Sequence, residues 1–362
     1  MMKKNLALLG LVGVGFTLPA QAGSLEELKK LFNQKDVEID LALTGDYIYT
    51  ADRTDKITDN NGQTTSGYED AFGYNAYLGL FKEATDDSPF GFGLELSNND
   101  WAPVVGIEPL PDIDNYKKVT IDQAYVEAKL SFISIKAGRI LTNIGGEAPY
   151  TWQNINIQRG LVWNGEPVFY NGVRVSAELG MFNVYVGAND RDTSDGKMAF
   201  EGGIGADLPF KTSVSFNVLI PDKKDDNPTK VYNLTFTNEM FEMAPITFYV
   251  DYLDTPKQGQ DNQSVGAALL VDLKFTKQIS VGTRVEYVNN DSDSDRDNYG
   301  IGKANHAWTF TITPKYQFNK YLYVRGEASY VTLGRKYYQK KNNPNSLTDS
   351  EVRVGAELGF VF

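Results

Sequence analysis

From Asp36 to Phe362, apolar and polar side chains alternate with a period of two, and every second connection between the alternating segments is long. A β-strand projects successive side chains to opposite faces, so this period marks strands with one apolar and one polar face. Ile279, Val281, Thr283, Val285 and Tyr287 alternate with Ser280, Gly282, Arg284 and Glu286. The final segment sets Val352, Val354, Ala356, Leu358, Phe360 and Phe362 against Arg353, Gly355, Glu357 and Gly359. Sixteen such segments can be counted. The long connections are 51–70, 99–120, 141–167, 189–198, 221–228, 254–262, 289–305 and 334–350, and the short ones lie near Ser88, Ser131, Gly180, Pro209, Met243, Thr276 and Asn319. All long connections therefore fall on one side of the sheet. A soluble sandwich alternates too, but it does not separate its loops in this way. The pattern predicts an all-β fold, a transmembrane antiparallel up-and-down β-barrel of about sixteen strands with short periplasmic turns and long external loops, placed in the outer membrane.

The start of the chain agrees with export. Lys3 and Lys4 precede an apolar run from Leu6 to Leu18, and Ala20-Gln21-Ala22 gives a small-residue cleavage site. Residues 1–22 are therefore expected to be a cleaved signal peptide. Residues 23–35 are expected to form a short periplasmic helix or arm. Ser24 and Glu27 form a capping box there, and Leu25, Leu28, Leu31 and Phe32 share one face. The barrel is assigned to 36–362. No second long apolar run follows, which excludes a helical membrane protein. Cysteine is absent, so no disulfide framework is available. The first 22 residues hold two lysines and no acid, leaving 47 acids against 33 bases, a net charge of −14. That balance argues against a nucleic-acid partner, and neither a cofactor nor a metal is expected. The run Asn289-Asn290-Asp291-Ser292-Asp293-Ser294-Asp295 lacks the Gly and Glu of a calcium-binding hand and reads as a solvated loop. Acidic external loops are suited to bridging lipopolysaccharide through divalent cations.

If the apolar face meets lipid, the charged face lines a lumen. Period two turns Glu38, Asp40, Glu95, Glu127, Glu178, Glu201, Asp207, Asp251, Asp272, Glu286, Glu327 and Glu357 inward, with Lys129, Lys136, Arg174, Lys274, Arg284, Lys315, Arg325 and Arg353. Charges at this density are costly to bury dry, and a sixteen-strand barrel is wide enough to hold water. A packed lumen would show apolar residues facing inward. The acid excess predicts a modest cation preference.

The third long connection, 141–167, is the longest, and it carries Trp152, Trp163, Ile144, Ile155 and Ile157. Its apolar content favours packing on the barrel wall, so the loop is expected to fold inward. A constriction would then be formed by Glu147, Arg159 and Glu166 on the loop and Arg139 and Arg174 on the wall.

The segments Gln123-Ala124-Tyr125-Val126, Lys136-Ala137-Gly138-Arg139-Ile140-Leu141-Thr142-Asn143-Ile144-Gly145, Glu166-Pro167 and Asn171-Gly172-Val173-Arg174 resemble the putative β-barrel porin-2 family of Gram-negative outer membranes. Asn143 stands where family members usually have Pro, and Asn171 where they often have His. The resemblance implies a porin: a water-filled channel for passive diffusion of small hydrophilic solutes and ions. By analogy, porins of this size are commonly homotrimers.

Two other functions compete. Tyr77, Tyr125, Tyr185, Tyr249 and Tyr323 point inward and would serve a substrate-specific channel, but they are scattered rather than laddered. An outer-membrane hydrolase would use the single histidine, His306. The terminal Phe362 on an amphipathic strand resembles the signal read by the barrel assembly machinery, and its strand should close the barrel against the first near Val37 to Tyr49.

Overall fold

Sixteen of the alternating segments pair edge to edge into one closed antiparallel barrel in the computed structural model of the chain. The structure describes residues 36–51, 57–58, 64–65, 70–98, 104–106, 119–191, 196–257, 260–291, 296–340 and 343–362. The expected signal peptide and N-terminal helix lie outside the described residues.

The barrel strands, numbered in chain order, are β1 (Glu38–Ala51), β2 (Asp70–Lys82), β3 (Phe90–Ser97), β4 (Thr120–Leu130), β5 (Ile133–Leu141), β6 (Phe169–Leu179), β7 (Phe182–Asn189) and β8 (Ala199–Leu208). They continue with β9 (Thr212–Pro221), β10 (Lys230–Asn238), β11 (Ile246–Lys257), β12 (Gln260–Lys274), β13 (Ile279–Asn290), β14 (His306–Gln317), β15 (Leu322–Leu333) and β16 (Ser350–Val361). Each strand pairs with its neighbours in sequence, and β16 closes on β1 from Ala42↔Val361 to Ala51↔Val352. Closure leaves no strand edge unpaired, which the bilayer interior demands. One expected loop, 254–262, is instead strand: β11 and β12 stay paired out to Lys257↔Gln260. Polar residues and Pro256 read as loop, yet a ladder that runs past the membrane needs no apolar face.

The outward face is apolar. Phe72, Phe90, Val126, Val186, Phe200, Ile312 and Leu358 are exposed there. Aromatic pairs mark its rims, as Tyr47 with Phe72, Tyr232 with Tyr252, and Tyr287 with Trp308. Such rings suit the lipid–water boundary. Phe362 is fully buried beside Ile39, Leu41, Tyr321 and Phe360 at the seam where the barrel closes.

Candidate pore constriction

The connection from β5 to β6, here L3, does not stand outside the barrel. An irregular segment brings backbone N–H groups that need acceptors when removed from water, and the barrel wall supplies them. Glu327 of β15 accepts from the backbone N–H of Ile157 (2.5 Å) and Gln158 (3.1 Å), and from the Gln158 side chain (2.9 Å). Glu286 of β13 accepts from Leu161 (3.2 Å) and Val162 (3.3 Å). The approach is close enough that a Cβ on Gly160 would overlap the Glu286 carboxylate.

Arginines then balance these carboxylates. Arg284 of β13 donates to Glu147 of L3 (2.7 Å) and to the Gln158 carbonyl (2.6 Å), and it pairs with Glu286 (3.2 Å). The side chains of Arg284, Glu147 and Glu286 are fully buried. Arg325 of β15 pairs with Glu357 of β16 (2.8 Å) and donates to the Asn154 carbonyl (2.9 Å). Arg353 of β16 donates to Gln158 Oε1 (3.1 Å) and to the carbonyl of Val104 (3.0 Å) in the connection from β3 to β4. That connection, the second long one, is bridged to L3 by the Val105 N–H and the Arg159 carbonyl (2.9 Å).

The remaining anchors reach other parts of the wall. Tyr150 donates to Asp122 of β4, and its ring stacks on Trp152 at 4.8 Å and meets Tyr77 of β2 edge-on at 4.9 Å. Arg174 of β6 pairs with Glu201 of β8 (2.9 Å) and donates to Asn143 (3.0 Å) and to the Leu141 carbonyl (3.1 Å). Glu166 sits against Asp251 of β11. Burial first, and then the adjacent Asp251 carboxylate, push the Glu166 carboxyl well above the ordinary carboxylate range. A cavity of about 250 Å³ runs along residues 141–149 of the loop, with Gln153, Asn154, Trp163, Pro167 and Val168 completing its lining.

The external half of the lumen departs from the expectation of an open aqueous channel. Leu161, Val162, Trp163 and Val168 of L3 pack with Val104 and Val105, with Tyr299 and Ile301 of the β13–β14 connection, and with inward residues of the wall. Those wall residues are Ala199, Leu219, Val231, Leu253, Ala268, Val288, Ala307 and Val331. Here the inner face of β8–β15 is buried: this apolar row packs under the loops, and Thr229 with Thr255 and Ser264 with Asn290 are hydrogen-bonded beside it.

The inward charges accordingly divide by depth and chemistry. Every inward arginine expected from the sequence (Arg174, Arg284, Arg325 and Arg353) is buried and bound to an acid or to L3. The inward lysines Lys129, Lys136, Lys274 and Lys315 keep solvent exposure. Among the acids, Glu95, Glu201, Asp251, Glu286, Glu327 and Glu357 are buried. Glu38, Asp40, Glu127, Glu178, Asp207 and Asp272 are not, and all six lie toward the short-turn end. Hydration explains the split. A guanidinium sheds water more readily than an ammonium and offers a planar fork of donors, so it serves buried pairs better.

Two sequence expectations need correction. Arg139 is not a wall partner of Arg174. It pairs across strands with Ala124 and Asn171, one position out of phase with the inward pair Lys136↔Arg174, and its guanidinium lies over the Phe169 ring at 5.6 Å. Strand parity puts it on the outer face. The acids of L3 also do not face wall arginines across water: Glu147 touches Arg284 directly. Arg159 instead covers the Trp163 ring at 3.3 Å. The sequence reading missed Asp122, Gln158 and Glu351 as anchors, and it missed the second long connection as part of the site. Glu351 accepts from the Gly106 N–H at 3.1 Å. Its place beside Arg353 at the external end of β16 was the available signal.

Known proteins match this architecture. The sequence profile of the family described as putative beta-barrel porin-2, OmpL-like, matches residues 36–362. No curated protein sequence matches significantly. Among solved structures, the outer membrane channel DcaP of Acinetobacter baumannii is similar at TM-score 0.61 and 14% identity, over 90% of this chain and 97% of that one. OmpT, an outer membrane protein of Vibrio cholerae, is similar at 0.58 and 13%, over 90% and 97%. An anion-selective porin from Comamonas acidovorans is similar at 0.56 and 13%, over 90% and 99%. At these identities the likeness to solved structures is one of fold.

Proposed function

We propose how solutes cross in a chain that belongs to the putative beta-barrel porin-2, OmpL-like family and is an outer-membrane porin. L3 is the constriction. It is clamped against β11–β16, and passage runs between its first leg and the opposite wall of β4–β9. Exposed Asn143 and half-buried Gln153 border that passage on the loop, and Tyr125 and Lys136, with its ammonium 4.2 Å above the Tyr125 ring, border it on the wall. The carrying observation is the division of charge: arginines and their acids hold the loop, and of the inward charges expected from the sequence the ones that keep solvent exposure are six acids against four lysines.

That remainder supports a modest cation preference for small hydrophilic solutes and ions. Bilayer recording under a salt gradient tests it. A reversal potential of the cation-selective sign is expected, and the anion-selective sign would overturn the preference.

A general rather than a substrate-specific passage is favoured by the tyrosines. Tyr77, Tyr249 and Tyr323 are buried, with hydroxyls donated to Glu95, Glu147 and Glu357, and Tyr185 donates to Asn217. Only Tyr125 of the five retains an accessible ring. The chain is proposed to have no enzyme activity. His306 shares the outward row of Tyr287, Trp308 and Phe310, with its ring 6.2 Å from Tyr287, and so stands in an aromatic rim. A purified protein that cleaves lipid or peptide, and loses this with His306→Ala, would overturn that reading. Homotrimeric assembly and lipopolysaccharide contact through the external loops complete the proposal.

A further inference from the structure

The carboxyls of Glu166 and Asp251 meet where L3 returns to the wall, and their environment is poor in donors. Asp251 is fully buried and Glu166 is 9% exposed. Asn233 of β10 donates to Asp251 Oδ1 at 2.7 Å. Glu166 Oε1 and Asp251 Oδ2 are buried and reached by no donor among the described residues. Two ionised carboxylates present only acceptors to one another. One proton between them makes a donor and an acceptor of the pair.

The surroundings leave the pair uncompensated. L3 itself brings Glu147, and Arg159 is engaged over Trp163. β13 brings Glu286 and Arg284, and Arg284 is bound to Glu147 and Glu286. β11 brings Tyr249, whose hydroxyl donates to Glu147 at 3.2 Å. β12 presents Gly266 and Ala268, which carry no charge, and Gly266 is the cross-strand partner of Asp251. The β13–β14 connection brings Tyr299, fully buried, with a hydroxyl close to Gly266 and without a hydrogen-bond partner among the described residues. The backbone is shaped for this contact. Gly145 has φ +100°, and a Cβ there would overlap the Glu166 carboxyl.

We propose that a single proton shared by Glu166 and Asp251 latches L3 to the wall, so that the constriction is proton-gated: held at low pH and released as the pair ionises. The inference rests on L3 being the constriction. Its sign follows from linkage. The latched state binds the proton more tightly than the released state, in which Glu166 meets water and returns to its ordinary value of 4.5. Below that value both states are protonated and pH has no effect. Above it, each pH unit weakens the latch by about tenfold, until the latched pair itself ionises. Above that point both carboxylates are charged and the loop is repelled from β11.

Single-channel recording of the full chain from about pH 5 to about pH 9 tests the latch. Wild-type current should rise, or its closed dwells shorten, with pH, approaching a tenfold change in the closed-to-open ratio per unit at the steepest point. Glu166→Gln donates an amide hydrogen to Asp251 at every pH and should hold the low-pH behaviour throughout. Asp251→Asn reproduces the donor from the other side and keeps the Asn233 contact, so it should do the same. Wild-type current that is flat across the range, or a pH slope that survives in both variants, would overturn the latch while leaving the channel intact. No current at any pH in wild type would overturn the constriction reading, and the latch with it.

Discussion

Arg284→Met probes the clamp with the least change of volume. In the wild type the Arg284 side chain is fully buried, and its guanidinium serves Glu147, Glu286, the Gln158 carbonyl and Thr311 Oγ1. Met removes the only base bound to those two acids among the described contacts. Glu147 and Glu286 then remain buried next to Glu166 and Asp251 with no counter-charge. Removing one partner of a buried ion pair costs about 3–5 kcal/mol. At about 1.4 kcal/mol per decade, that shifts the docking equilibrium of L3 by roughly two to three and a half powers of ten. The barrel ladder is untouched, so heat-modifiable migration on gels should be preserved. The open-channel current should become larger and noisier. Trypsin should cut after Arg159, which the wild type buries between the second and third long connections, and mass spectrometry of the fragments reads this directly. Adding Glu147→Gln removes one of the stranded charges and should restore part of the protection, a coupling a double-mutant cycle measures. If Arg284→Met keeps Arg159 as protected and the current as quiet as in wild type, the clamp is not what holds the loop.

Two further outcomes follow from the packing. Deleting Phe362 empties the fully buried site beside Ile39, Leu41 and Tyr321 at the closing seam. The yield of assembled barrel should fall in a folding assay, while channels that do form conduct as wild type; normal assembly would remove this residue's role. Gly160→Val places a branched side chain in the space of the Glu286 carboxylate, which holds Leu161 and Val162. Overpacking of this kind costs about 1–3 kcal/mol, so it should reproduce the noisy current of Arg284→Met in milder form, and a quiet channel would contradict the close approach.

The barrel was legible because its information is local. Period two, loop lengths alternating in sequence and an amphipathic last strand are each readable within a few residues, and closure needs nothing more. The site was legible only in part. Period two states which face a side chain occupies, not what lies over that face. Arg284 and Lys136 are alike by that criterion, yet L3 buries one and leaves the other partly exposed. Arg139 shows the cost of setting parity aside: its phase relative to Lys136 already placed it outside. The buried external half left a weaker trace. Where an inward residue is buried by loops, both faces of the strand turn apolar, as in Val218-Leu219-Ile220 of β9 and Leu269-Leu270-Val271 of β12. The first run breaks the alternation at the external side of the barrel and the second nearer the short turns, and their inward residues Leu219 and Leu270 belong to the same buried cluster as L3, Tyr299 and Ile301. The pairing of Glu166 with Asp251 spans 85 residues and five intervening strands, and no local pattern announces it.

Cysteine accessibility tests the central claim most directly, since the native chain has none. Lys136→Cys places a thiol on the β5 wall beside the proposed passage, and Thr311→Cys places one on β14 behind L3, where Thr311 is 5% exposed. A charged, thiol-specific reagent added during single-channel recording should reduce the current through Lys136→Cys and leave Thr311→Cys unchanged. Block at Thr311→Cys with no effect at Lys136→Cys would put the passage on the other side of the loop and contradict the account.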